Sequence, residues 1–143
     1  MGRIFAVDLG SRRVGLAVSD PTQTIATALS TEPAEPEGDL ADRIAVIATE
    51  HEAERIVVGL PRELDGTRGP AAAGAERLAS RLRSVSGVPV ETFDERLTTA
   101  AAERSLIEAG VRRKARRQAI DRVAATVLLQ GYLDRRRSTR RAG

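Results

Sequence analysis

At 143 residues the chain has the length of one ordinary domain, enough to bury roughly 70% of the surface its unfolded form exposes. It contains no cysteine and a single histidine, His51, which excludes disulfides, thiolate metal sites, a cysteine nucleophile and any multi-histidine metal site, so metal chemistry falls to carboxylates. The net charge of +3 divides unevenly, with −6 on residues 1–111 and +9 on residues 112–143, and an arginine-rich arm of that kind suits phosphate oxygens.

Residues 3–8 and 14–19 are short apolar runs separated by Leu9-Gly-Ser-Arg-Arg13, the pattern of a β-hairpin. Over 24–31, Thr, Ile and Ala alternate without helical periodicity, which predicts a third strand, and Pro33 and Pro36 mark a loop after it. Asp39 has the chemistry of an N-cap, and Leu40, Ile44, Ile47 and Ala48 recur at helical spacing up to residue 52. Residues 55–59 form a β-branched run with no polar alternation, which predicts a central parallel strand covered on both faces.

A loop containing Gly and Pro over 60–69 leads into a helix from Pro70, with Ala75, Leu78, Ala79 and Leu82 on one face, and Ser86-Gly-Val-Pro89 closes it. A fifth strand is expected over 88–93 and a helix over 99–109, stopped by Gly110. A long helix over 118–137 is expected to turn Ile120, Val123, Ala124, Val127, Leu128 and Leu133 inward. The order βββαβαβαα predicts an α/β domain over residues 1–137, with a mixed five-stranded sheet, antiparallel in its first three strands and parallel thereafter, flanked by helices. Residues 138–143 read as a basic tail.

Hydrophobic residues make up 41% and charged residues 30% of the chain, the balance of a globular protein. The aromatics are only Phe5, Phe93 and Tyr132, too few for a surface that stacks on bases. No apolar run approaches the ~20 residues a bilayer requires, and Asp8 interrupts what would be the apolar stretch of a signal peptide. The expected compartment is the cytoplasm, without a membrane partner.

The informative residues are acids at strand ends. Asp8 closes the first strand beside Gly10 and Gly15; an acid there costs desolvation unless it is paired or bound to a cation. A turn-capping role is the structural alternative. Asp94 and Glu95 stand just after the fifth strand and point to opposite sides if the strand continues, so one of them, here taken as Glu95, faces the same site. Asp121 lies on the flank of the last helix's apolar stripe, where a salt bridge is the simpler reading of it alone. Three acids drawn from such positions can converge and hold a hard divalent cation, Mg²⁺ or Mn²⁺, through oxygen alone. Such ions activate water and stabilise a leaving oxygen, which permits phosphodiester hydrolysis without a protein nucleophile.

Four ordered blocks span almost the whole chain: Asp8-Leu-Gly-Ser-Arg-Arg-Val-Gly-Leu-Ala-Val-Ser-Asp20; Val57-Val-Gly-Leu-Pro61 with Asp65-Gly-Thr-Arg-Gly69; Asp94-Glu-Arg-Leu-Thr-Thr99; and Arg113-Lys114 followed by Asp121-Arg-Val-Ala-Ala125. Through them the chain resembles the YqgF (RuvX) family of Holliday-junction-resolvase-like pre-16S rRNA nucleases. The resemblance implies an RNase H-like fold, an acidic centre of Asp8, Glu95 and Asp121, and processing of the 5′ end of precursor 16S rRNA, free or in a ribosomal subunit precursor, during ribosome biogenesis.

Arg12 and Arg13 beside Asp8 are candidates to clamp a phosphate, against the plain reading of an exposed hairpin tip. Arg96 stands next to Glu95, and Arg113, Lys114 and Arg117 are candidates to track the phosphate backbone. Gly59-Leu-Pro61 with residues 65–69 reads either as a loop presenting backbone amides or as a plain loop. The rival functions are a resolvase-like endonuclease acting on branched DNA, a non-catalytic rRNA-binding assembly factor and, from Asp8-Leu-Gly10, an actin-like nucleotide site, which one domain is too short to enclose. The residues do not decide between monomer and homodimer.

Overall fold

The computed structural model describes residues 2–10, 12–61, 69–95 and 113–142, with residues 113–123 and 140–142 described by their backbone alone. Its elements are β1 (Arg3–Leu9), β2 (Arg13–Ser19), β3 (Ala26–Pro33), α1 (Glu37–Glu50), β4 (Ala53–Leu60), α2 (Pro70–Val85), β5 (Val90–Asp94) and α3 (Arg113–Ala142). The sheet order is β3-β2-β1-β4-β5. β1 pairs antiparallel with β2 and β2 with β3, while β4 runs parallel to both β1 and β5. The expected mixed sheet is therefore present, and β4 is the inner parallel strand that its unbroken Ile56-Val57-Val58 run predicts. The helix expected over 99–109 lies outside the described residues.

Alternation along the strands splits the core in two. Phe5, Val7, Val14, Leu16, Ile56, Val58 and Leu60 point to the face covered by α1 and α2, where they meet Leu40, Ile44, Leu78 and Leu82. Ile4, Ala6, Ala17, Ala26 and Val57 point the other way, under Ala125, Leu128, Leu129, Tyr132 and Leu133 of α3. Small side chains on that second face let one long helix lie close across β1, β2 and β3.

Three local expectations are corrected. Asp39 is not the N-cap of α1: the helix begins at Glu37 after Pro36, with no side-chain cap. Asp39 instead sits in the first turn, where its charge suits the helix dipole, and its Oδ1 accepts from Arg43 Nε at 2.9 Å. The third strand starts and ends two residues later than its alternation suggests, because its register is set by pairing with β2, from Ser19↔Ala26 to Arg13↔Pro33. α3 extends beyond 118–137 at both ends and passes through 138–142, where the sequence reads as a tail.

Its inward stripe is also displaced. Ala124 is exposed and Val127 only half-buried, while Ala125, Leu129 and Tyr132 are buried beside the expected Leu128 and Leu133. Both stripes satisfy a 3.6-residue period; packing of the larger Leu129 and Tyr132 against the sheet decides between them. The side chains of Ile120 and Val123 lie outside the described residues.

Candidate active site

The β1–β2 turn is closed by Gly10 N–H donating to the Arg13 carbonyl at 2.9 Å. A side chain on Gly10 would sit 2.8 Å from that same carbonyl oxygen, so the tight turn requires glycine here. The Arg12 carbonyl in turn accepts from Ala34 N–H at 2.9 Å, which ties the hairpin tip to the chain leaving β3. Asp8, one residue before the end of β1, is opposite Gly15 of β2. On its other side the parallel register pairs Ala6 with Val57 and Val7 with Val58, and one further step brings Asp8 level with Gly59 of β4. By alternation Asp8 stands on the α3 face, in line with Ile4 and Ala6.

β5 reaches the same place from the other side. Gly59 is opposite Phe93 and Leu60 opposite Asp94. Phe93 joins the α3-side core whereas Leu60 belongs to the core under α1 and α2, so Asp94 follows Leu60 and the next residue, Glu95, returns to the α3 face. There the Glu95 and Asp8 side chains are hydrogen-bonded. Burial pushes the Glu95 carboxyl up to about 8, helped by the hydrogen bond with Asp8 and by the charges of Asp8 and Asp94. A carboxyl held protonated near neutral pH can donate to its neighbour, and two carboxyls so paired share a proton that a cation would displace.

A lattice of contacts fixes the end of β5. Phe93 packs edge-on against Tyr132 with ring centroids 5.5 Å apart. The Tyr132 hydroxyl donates to Glu91 Oε1, which also takes Arg55 Nη1 at 3.3 Å, and Arg136 Nη1 donates to the same hydroxyl at 3.3 Å. Burial and the contact with Glu91 raise the Tyr132 pKa, so the phenol keeps its proton and remains a donor. β4, β5 and α3 are thereby pinned together one turn of strand away from Glu95.

Over residues 2–135 the chain matches the family described as RuvX, Holliday junction resolvase. The chain belongs to the RuvX family. A Mycobacterium sp. (strain KMS) protein named "Putative pre-16S rRNA nuclease" is 50% identical over 139 residues, covering 96% of this chain and 82% of its own. A Listeria innocua protein of the same name is 46% identical over 136 residues, covering 92% and 97%. Among solved structures, Thermus thermophilus RuvC in complex with Holliday junction substrate superposes with a TM-score of 0.61 at 18% identity, covering 97% of this chain and 98% of that one. Fowlpox virus resolvase with Holliday junction DNA gives 0.57 at 11% identity, covering 92% and 97%. These likenesses show the RNase H-like fold. As a RuvX member the protein is a nuclease, a hydrolase of phosphodiester bonds.

Of the other residues singled out in the RuvX chain, Arg12 and Arg13 are exposed at the hairpin tip. Asp121 lies in α3 two turns before Leu128, and Arg113, Lys114 and Arg117 lie in its first turns. The side chains of these four, and Arg96 altogether, lie outside the described residues, as does the 65–69 segment up to Gly69. Among the described residues no group of three acidic or histidine side chains is placed to hold a metal ion, and no helix is long and apolar enough to cross a membrane. Gly59 and Leu60 are strand residues of β4 rather than part of an amide-presenting loop. Sequence reasoning passed over Glu91 and Tyr132; the signal available was a single tyrosine in a chain with 2% aromatics.

Proposed function

We propose that this nuclease processes the 5′ end of precursor 16S rRNA in the bacterial cytoplasm, with Mg²⁺ or Mn²⁺ held by Asp8, Glu95 and Asp121. The observation that carries the reading is the contact between the Asp8 and Glu95 carboxyls on the α3 face, at the carboxyl ends of β1 and β5. The donor set fits a hard cation, since oxygen ligands are gathered in a chain without cysteine and with one distant histidine. Two carboxyls this close repel when both are ionised, so the site favours either a shared proton or a bound dication. When bound, the metal supplies a water of lowered pKa and positive charge for the leaving oxygen.

The chain's own residues do the rest. Asp8 is held by strand pairing with Gly15 of β2 and follows directly on the Val7–Val58 pair with β4, which fixes its carboxylate without a loop's freedom. Glu95 is held by the β5 end that Phe93, Tyr132 and Glu91 anchor. Asp121 supplies the third carboxylate from α3, which runs across the same face. Arg12 and Arg13 at the hairpin tip, Arg96 beside Glu95, and Arg113, Lys114 and Arg117 in the first turns of α3 take the phosphates flanking the scissile bond. The names of the Mycobacterium and Listeria relatives support precursor rRNA as the substrate. The family's description favours branched DNA as the second reading.

The test is incubation of the protein, alongside Asp8→Asn and Glu95→Gln variants, with precursor 16S rRNA and with a four-way DNA junction, in Mg²⁺, Mn²⁺ or chelator. Metal-dependent cleavage of the RNA alone, lost in both variants, is the expected result. Cutting confined to the junction would move the assignment to branched DNA, and cleavage that survives either substitution would remove the carboxylate centre.

A further inference from the structure

We propose that Gly59 is the positioning residue for Glu95: the side chain it lacks is the recess in which the Glu95 carboxylate lies against Asp8. The proposal rests on the reading of Asp8 and Glu95 as the metal-holding pair and deepens it. A Cβ built on Gly59 would stand 2.9 Å from Glu95 Oε1 and 2.9 Å from Leu128 Cδ2, with Leu128 Cδ1 at 3.4 Å. Ordinary contacts begin near the last of these distances, so an alanine here displaces whatever gives most easily. The three nearest atoms are all side-chain ends, and none of them is backbone. The methyl group therefore requires both the Leu128 side chain and the Glu95 carboxylate to shift, and the carboxylate is the group whose place matters.

The surroundings explain why the recess falls there. Gly59 is opposite Phe93 in β5, two residues before Glu95, and one register step brings it level with Asp8 in β1. Next to it in β4, Val57 fills the same face with a branched side chain against α3. Continuing that pattern at residue 59 would fill the space between the two acids. Glycine there lets Leu128 close the apolar side of the recess and leaves the other side to Glu95. Glycine inside a strand costs conformational freedom on folding, and at this position the return is the placement of a carboxylate.

The test measures Mn²⁺ binding by isothermal titration calorimetry and cleavage of precursor 16S rRNA for the full chain and for G59A, E95D, G59A/E95D and D8N. G59A should remain folded and bind Mn²⁺ roughly 10- to 100-fold more weakly, the range typical when a group orienting a ligand is disturbed. Shortening Glu95 to aspartate withdraws the carboxylate by one methylene from the new methyl group. The double variant should then bind Mn²⁺ better than the product of the two single losses, a positive coupling that general damage to the fold does not produce.

Unchanged Mn²⁺ affinity in G59A, with binding lost in D8N, overturns the role of Gly59 and leaves the metal-holding pair standing. Strictly additive losses, or rescue of G59A by L128V instead of E95D, would also overturn it, since the glycine would then serve the approach of α3. Retained Mn²⁺ affinity in D8N would remove the pair itself, and the proposal with it. If G59A alone does not fold, G59A/L128V relieves the helix contact, and the same comparison is made in that background with and without E95D.

Discussion

Where α1 and α2 cover the sheet, the strands present Phe5, Leu16, Ile56 and Leu60; where α3 covers it, they present Ala6, Ala17 and Ala26, and at the end of β1 Asp8 with glycines beside it. The first face spends its area on apolar burial, at about 25 cal/mol per Å² removed from water. The second gives up part of that gain to leave room, first for a close helix and then for two carboxyls whose proximity opposes folding. The large apolar residues and the proposed carboxylate centre thus lie on opposite sides of one sheet, and substitutions on the two sides should fail in different ways.

The largest contrast is between Asp8→Asn and Leu82→Ala. Asp8→Asn removes one carboxylate of the proposed metal-holding unit, and cleavage should fall by roughly 10³-fold or more. Its melting temperature should stay close to the parent's, because the asparagine keeps the size of Asp8 and its amide oxygen can still accept from the protonated Glu95 carboxyl. Leu82 is fully buried under the other face, so its truncation should cost about 2–5 kcal/mol in urea unfolding. The folded fraction of that variant should cleave at the parent rate. A Leu82→Ala variant with normal stability and damaged turnover would break the division between the faces.

A pH series sharpens the same contrast. Glu95 lies at about 8 in the folded protein against 4.5 for the free side chain. The folded state therefore binds the extra proton between those values, and the slope of stability with pH is negative across that window. The contribution is complete below about pH 4.5 and is lost as pH rises through about 8. Melting temperature measured from pH 5 to 9 without metal should fall for the parent and fall less for Glu95→Gln. Mn²⁺ should release a proton on binding and flatten the slope. Equal slopes in parent and variant would mean that Glu95 ionises as an ordinary surface carboxylate.

Tyr132→Phe tests the anchor between the two cores' shared strand, β5, and α3. It keeps the edge-on ring contact with Phe93 but removes the donor to Glu91, whose carboxylate retains Arg55 at 3.3 Å. The expected cost is about 1 kcal/mol by chemical denaturation. A loss several times larger would mean that the hydroxyl, rather than the ring, holds α3 in place.

The difference between the faces also accounts for what the sequence disclosed. On the α1–α2 side large apolar residues set the phase, and the stripe Ala75, Leu78, Ala79 and Leu82 lies buried as its spacing predicts. Asp8 stands out in the sequence because an acid at the end of an apolar strand is costly; alternation separates Asp94 from Glu95 but does not say which faces Asp8, and the register of β5 puts Glu95 on that side. Under α3 the contacting residues are small and the helix is rich in alanine and arginine, so two inward stripes fit equally well and Ala124 was assigned to the wrong one. Gly59 was beyond reach for a different reason: its role depends on a side chain arriving from another strand, and a glycine's own chemistry carries no trace of that.

Asp39→Ala carries the smallest effect and distinguishes two readings of one residue. An N-cap aspartate loses about 1 kcal/mol on truncation, because it satisfies an amide that nothing else reaches. Asp39 in the first turn makes no such bond; it offers a charge to the helix dipole and an ion pair to Arg43, which also donates to the Pro33 and Pro36 carbonyls at 3.1 and 3.2 Å. An exposed i,i+4 pair of this type contributes about 0.3–0.5 kcal/mol. Arg43 keeps its backbone partners when the carboxylate is gone, so the change in stability should stay at a few tenths of a kcal/mol and shrink further at high salt. A full 1 kcal/mol loss, insensitive to salt, would restore Asp39 as the cap and place the start of α1 three residues later, at Leu40.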